Sequence, residues 1–151
     1  MDLQLKNRLS LVSGSTAGIG FAIAEALAAE GAKVIINGRS QASVDDAIAK
    51  LSAGADGELI GFAGDLTRAD VAEQLVQVHP GVEILINNLG IFEPVAFEDI
   101  SDDDWRRFYE VNVLSGVRLS RLYLPQMKKQ NWGRIVFISS ESGVQIPSEM
   151  I

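Results

Sequence analysis

Short apolar runs and longer stretches with helical spacing take turns along this chain. The runs Leu9–Val12, Val34–Ile36, Leu59–Ile60, Ile84–Ile86 and Ile135–Ile138 are continuous rather than alternating, as in strands covered on both faces. Between them, residues 19–30 set Ile19, Ile23, Ala26 and Leu27 on one helical face and run into Gly31, which suits the left-handed residue that ends a helix. Residues 41–51 align Val44, Ala47, Ile48 and Leu51, and residues 70–78 align Val71, Leu75 and Val78. The longest helical stretch runs from about Asp102 to Gln130 through Trp105, Phe108, Val111, Asn112, Ser115, Leu119 and Leu122. Pro125 bends it or marks its last turn. The order β-α-β-α-β-α-β-α-β predicts a parallel sheet with helices on both faces and right-handed crossovers.

Composition adds boundaries. With 151 residues, 47% of them hydrophobic, the chain has material for one core, so a single domain over 1–151 is expected. Without cysteine it has no disulfide, thiolate metal site or cysteine nucleophile. A net charge of −7 argues against nucleic acid or an anionic membrane as partner. No run nears the roughly 18 apolar residues of a membrane span, and the start does not read as a signal peptide. A cytoplasmic location is the expectation.

The first candidate chemistry follows the first strand directly. Ser13-Gly14-Ser15-Thr16-Ala17-Gly18-Ile19-Gly20 turns the chain into the first helix. Gly14 permits a sharp turn, Gly18 leaves room for a pyrophosphate, and Gly20 lets the helix pack closely. The ligand's charge would meet the N–H groups and positive end of that helix. The alternative is a purely structural glycine turn. No Gly-Lys-Ser/Thr follows, so this is not a nucleoside-triphosphate loop.

The second strand ends Asn37-Gly38-Arg39-Ser40, where the adenosine ribose of a dinucleotide would lie. An acidic residue there would bind both ribose hydroxyls of NAD, whereas the fork of Arg39 pairs with a 2′-phosphate, so NADP is expected over NAD. Asp65 and Leu66 follow the third strand. Asp65 either accepts from the adenine amino group, caps the next helix, or does both.

Five motifs in order now resemble the classical short-chain dehydrogenase/reductase family. They are Gly14-x-x-x-Gly18-x-Gly20, Asp65-Leu66, Asn87-Asn88-Leu89-Gly90, Asn112 in Val111-Asn112-Val113, and Ser139-Ser140 at the end of the fifth strand. The resemblance implies an α/β fold, a Rossmann-like doubly wound parallel sheet of five strands in order 3-2-1-4-5, stopping before the C-terminal strands. It implies a nicotinamide cofactor, which Arg39 makes NADP rather than NAD, bound by Gly14, Ser15, Thr16, Gly18, Ile19, Gly20, Arg39, Ser40, Asp65, Leu66, Asn87, Asn88 and Gly90. It also implies hydride transfer with a small-molecule carbonyl or alcohol. Ser140 would hold the substrate oxygen. Asn112 would hold a water of the proton relay and interrupt the long helix. A homo-oligomer is implied in the same way.

Two departures stand out. Leu89 replaces the family's alanine, which either narrows the pocket beside the nicotinamide end or packs against a helix, packing being the expected consequence. The family's Tyr-x-x-x-Lys is missing: Tyr109 is followed four positions on by Val113, and Tyr123 by Met127. The expectation is therefore the N-terminal part of a longer reductase, inactive alone, with 144–151 as the entry to a further helix. A non-catalytic dinucleotide-binding or regulatory module stays open as the alternative. A Rossmann-like methyltransferase is weaker, since that chemistry needs neither Arg39 nor the asparagine–serine pair.

The remaining features read as structural. His79 beside Pro80 is a turn residue. The six carboxylates between Glu93 and Asp104 are a solvated loop and helix start, with Ser101 as cap and no metal site. Arg106, Arg107, Arg118, Arg121, Lys128 and Lys129 are read as the charged decoration of the long helix.

Overall fold

Residues 3–145 are described by the structure, a computed structural model. Strands β1 (Leu9–Val12), β2 (Lys33–Gly38), β3 (Leu59–Ala63), β4 (Ile84–Asn87) and β5 (Arg134–Phe137) form one parallel sheet in the order β3-β2-β1-β4-β5. The central strand β1 pairs Leu11 with Ile35 on one side and with Leu85 on the other. Successive residues in these runs point to opposite faces. Val12, Val34, Ile36, Ile84 and Ile86 meet Ala24, Ala28, Val44 and Ala47 of helices α1 (Gly18–Ala29) and α2 (Gln41–Leu51). Leu11, Ile35 and Leu85 meet Leu75, Leu119, Tyr123 and Met127 of α3 (Ala69–Val78) and α5 (Ser115–Lys129). The runs of β1, β2 and β4 are continuous because each face has its own helical layer. The expected double coverage of Ile135–Ile138 is not met: β5 is an edge strand with Val136, Phe137 and Ile138 exposed among the described residues.

The helices correct parts of the sequence reading. The buried line of α1 is Gly20, Ala24 and Ala28, while Ile19 is 64% exposed. Small residues let this helix lie close to the sheet, so the apolar periodicity misjudged its inner face. In α3 the buried residues are Ala72 and Leu75, and Val78 is exposed for the same reason. The long helix is divided into α4 (Asp102–Tyr109), a π-helical segment (Glu110–Leu114) that includes Asn112, and α5. The extra residue per turn rotates the face, so Trp105 is 57% exposed while Ser115 and Leu119 are buried. Pro125 lies near the end of α5. Ser101 caps α4 through a reciprocal capping box with Asp104, and Gly31 after α1 takes a left-handed φ of 79°.

A candidate dinucleotide cleft at the strand ends

The carboxyl ends of the first four strands bring residues 13–20, 37–40, 64–67 and 87–90 to one edge of the sheet. Buried polar side chains bind these turns together. Ser13 donates its hydroxyl to the Ile86 carbonyl and accepts from the N–H groups of Asn88 and Leu89. The Asn88 amide donates back to the carbonyls of Ser13 at 3.0 Å and Gly14 at 3.1 Å. Asn37 does the same for the other side. Its amide oxygen accepts from Gly14 N–H, and its amide nitrogen donates to Phe62 and Gly64 carbonyls at 3.2 and 3.0 Å. Its backbone N–H reaches Ser15 Oγ at 2.9 Å. The glycine turn after β1 is thus held from both flanking strands.

The glycines differ in what they do. Gly14 takes a φ of 63°, and Leu89 Cδ2 lies 3.1 Å from where its Cβ would stand. A Cβ on Gly20 would come within 2.4 Å of Asn88 Nδ2 and 2.5 Å of the Gly14 carbonyl oxygen. Gly18, at φ 59°, faces open space instead. Directly behind it, α1 starts at an Ala17 cap with no side-chain hydrogen bond and no acidic residue in its first turn. By contrast, Ser40 caps α2, and α4 carries Ser101 and three aspartates at its start. Uncapped N–H groups, a positive helix end and an unobstructed glycine fit a pyrophosphate.

The other anticipated residues take distinct places. Thr16 packs on Gly38, where a Cβ would come within 2.5 Å of its methyl. Arg39 is exposed and has no hydrogen-bond or ion-pair partner among the described residues. Leu66 is buried in the second core. Asp65 does not cap α3, correcting the capping alternative. The cap is Arg68, and Asp65 Oδ1 accepts from the N–H and hydroxyl of Thr67 in a tight local turn. Leu89 packs into the second core, as expected of its bulk.

Beyond β4, Asn112 pairs both ways with Ile91, accepting from its N–H at 2.7 Å and donating to its carbonyl at 3.1 Å. Its side chain therefore tethers the loop after Gly90 to the π segment. Asn87 donates to Ser120 Oγ. Ser140 is exposed, and its Oγ accepts from Ser142 N–H, which leaves its own proton free to donate. Tyr123 is fully buried, has no hydrogen-bond partner among the described residues, and burial pushes its pKa up, opposite to what a phenolic acid/base needs. Residues 146–151 lie outside the described residues, so the expected helix entry there is described only up to Gln145.

Sequence reasoning missed two residues. Asn37 read as part of a turn, although an amide at a buried strand end signals unmet backbone groups. Arg118 read as surface charge, yet its side chain is 12% exposed and pairs with Glu110 and the Thr67 carbonyl. No local signal marked it, because both of its partners lie on other segments. The acidic loop holds no group of three metal-ligating side chains among the described residues. There Arg107 bridges Glu93 and Asp104. Its hydrogen bond holds Glu93 below the usual carboxylate range, and Asp104 is lowered first by Ser101 and then by Arg107.

Residues 8–151 match the family model described as short chain dehydrogenase. The uncharacterized oxidoreductase YvaG of Bacillus subtilis (strain 168) is 49% identical over 99% of this chain. The chain spans 57% of that relative's length. L-sorbose reductase from Gluconobacter frateurii, solved with NADPH and L-sorbose, is 28% identical over 98% of this chain and 58% of its own, with a TM-score of 0.90. A 3-oxoacyl (acyl-carrier-protein) reductase from Agrobacterium tumefaciens C58, solved with NADP bound, is 33% identical over 97% of this chain and 57% of its own, with a TM-score of 0.86.

Proposed function

The chain belongs to the short-chain dehydrogenase family, and on that premise we propose that it is the cofactor-binding part of an NADP-dependent oxidoreductase acting on a small-molecule carbonyl or alcohol. NADP, when bound, supplies or accepts the hydride. The observation that carries this reading is the cleft itself: an uncapped, acid-free start of α1 behind an open Gly18, with an unpartnered Arg39 at the end of β2. The two solved relatives named with NADPH and NADP support the same choice of cofactor.

In this reading Gly14, Ser15, Thr16, Gly18, Ile19 and Gly20 seat the pyrophosphate, and Arg39 with Ser40 holds the 2′-phosphate. Asp65 and Leu66 border the adenine, and Asn87, Asn88 and Gly90 border the nicotinamide side. Ser140 donates its free proton to the substrate oxygen and stabilises charge developing there. Asn112 keeps the loop after Gly90 in place. No Tyr-x-x-x-Lys occurs among the 151 residues, so this stretch by itself is proposed to bind NADP without turning over substrate.

Calorimetric titration of the chain with NADP and NAD tests the cofactor. A charge-assisted arginine–phosphate contact of about 1.5–3 kcal/mol makes NADP the tighter ligand by roughly 10- to 100-fold. Arg39→Ala is expected to erase that margin and leave NAD affinity unchanged. Equal or tighter binding of NAD by the unaltered chain sinks the assignment, and steady turnover of added carbonyl refutes the proposed inactivity.

A further inference from the structure

Arg118 is the least exposed cation in the ion pairs of the described residues. One arm of its fork donates to the Thr67 carbonyl at 2.7 Å, and the other to Glu110 Oε1 at 2.6 Å. Each partner leads to a different end of the cleft. Thr67 holds Asp65 through two hydrogen bonds to Oδ1, at 3.0 Å from its N–H and 2.7 Å from its hydroxyl. Glu110 opens the π segment that carries Asn112, which in turn grips Ile91 beyond Gly90. The contacts run without a gap from Asp65 through Thr67, Arg118 and Glu110 to the π segment and the loop after β4.

We propose that Arg118 is a positioning residue that holds the adenine-side turn and the π segment in fixed register across the cleft. The inference rests on the cofactor reading above for the meaning of the two ends, and on the contacts alone for the register. Taking a guanidinium out of water is costly unless its donors are met by well-placed acceptors. What only arginine supplies is two directed bonds at once from a planar fork, to a carbonyl on one element and a carboxylate on another. Without it the turn at 65–68 and the segment at 110–114 are each tied to their own neighbours but not to each other.

Hydrogen exchange on the whole 151-residue chain tests this, without ligand and with adenosine 2′,5′-bisphosphate, a probe bearing only the adenine end. Without ligand, Glu110→Gln is expected to speed exchange at the Thr67 and Arg68 amides several-fold, although the substitution lies on another element. Unchanged exchange there overturns the proposal. With the probe bound, protection is expected at 65–68 and also at 110–114 in the unaltered chain, but only at 65–68 in Arg118→Met and Arg118→Lys. Transmission that survives in these variants overturns it as well. The lysine variant keeps the cation and most of the stem, so it separates stability from register. A restored melting temperature with lost transmission supports positioning, and restoration of both refutes it. If Arg118→Met does not fold, Arg118→Lys and Glu110→Gln decide. Failure of the unaltered chain to bind the probe counts against the cofactor reading, while the ligand-free exchange still decides the register.

Discussion

At the ends of β1, β2 and β3 every turn is tied to its neighbour by buried amides and hydroxyls, whereas at β5 the same sheet ends in exposed apolar side chains. Asn37 alone joins three strand ends on the first side. On the second, Val136, Phe137 and Ile138 are exposed, with Phe137 at 53%. The difference separates two kinds of task. The glycine turn, proposed above to seat a pyrophosphate, would gain from being held before a ligand arrives, because ordering it on binding would cost affinity. The Ser140 end has no comparable set of buried partners among the described residues.

The strongest way to break this contrast is a pair of glycine substitutions. Gly20→Ala forces a Cβ against the Gly14 carbonyl oxygen and the locked Asn88 amide. Overpacking of this kind is expected to destabilise the chain by about 2–3 kcal/mol in urea unfolding and to abolish NADP binding. Gly116→Ala meets Phe137 Cε1 at 2.7 Å and Asn87 Cγ at 3.2 Å. Here the exposed ring can swing aside, and alanine's helix preference of about 1 kcal/mol offsets the crowding. Equal losses at the two sites would show that the open end is as constrained as the closed one.

Next in size is Asn37→Asp, which sets a carboxylate against the Phe62 and Gly64 carbonyls in place of an N–H donor. A loss of about 2 kcal/mol is expected at neutral pH. It should shrink in melts near pH 4, where a protonated carboxyl can donate again. No pH dependence of the deficit would mean that the amide donor contributes little.

Tyr123→Phe bears on the α5 side. Its hydroxyl is buried without a partner, so removal is expected to leave unfolding free energy unchanged or raised by about 1 kcal/mol. A clear loss would reveal a bond to the hydroxyl.

The smallest effect is expected from acid. Glu93 and Asp104 have folded-state pKa values below the ordinary carboxylate range, so their contribution is complete above that range and is lost as pH falls through the lowered values. Both side chains are substantially exposed, which keeps the effect small. Thermal melts from about pH 5 downward should show a shallower decline in Ser101→Ala than in the unaltered chain, since that variant loses the first cause of the Asp104 shift.

Much of this was legible beforehand because it depends on local order. The continuous apolar runs of β1, β2 and β4 are covered on both faces as expected, whereas β5 is not, and Gly14 and Gly20 hold a turn into which a larger side chain would crowd. The π segment was legible only in part: Asn112 marked where the long helix is interrupted, but not the rotation that turns Trp105 to solvent. Helix faces built from Ala24, Ala28 and Ala72 were misjudged because small residues carry weak hydrophobic signal while allowing the closest approach to the sheet.

The sequence by itself determined the succession of strands and helices, the glycine turn, the family and the missing Tyr-x-x-x-Lys, all of which reside in spacing along the chain. Only the tertiary structure decided that Asn37 joins β1, β2 and β3, that Asp65 answers to Thr67 rather than to a helix end, and that Arg118 is a half-buried link rather than surface charge. Those roles depend on which backbone groups lose water and which donors come within reach. Both depend on contacts between residues far apart in sequence, which the spacing of motifs does not encode.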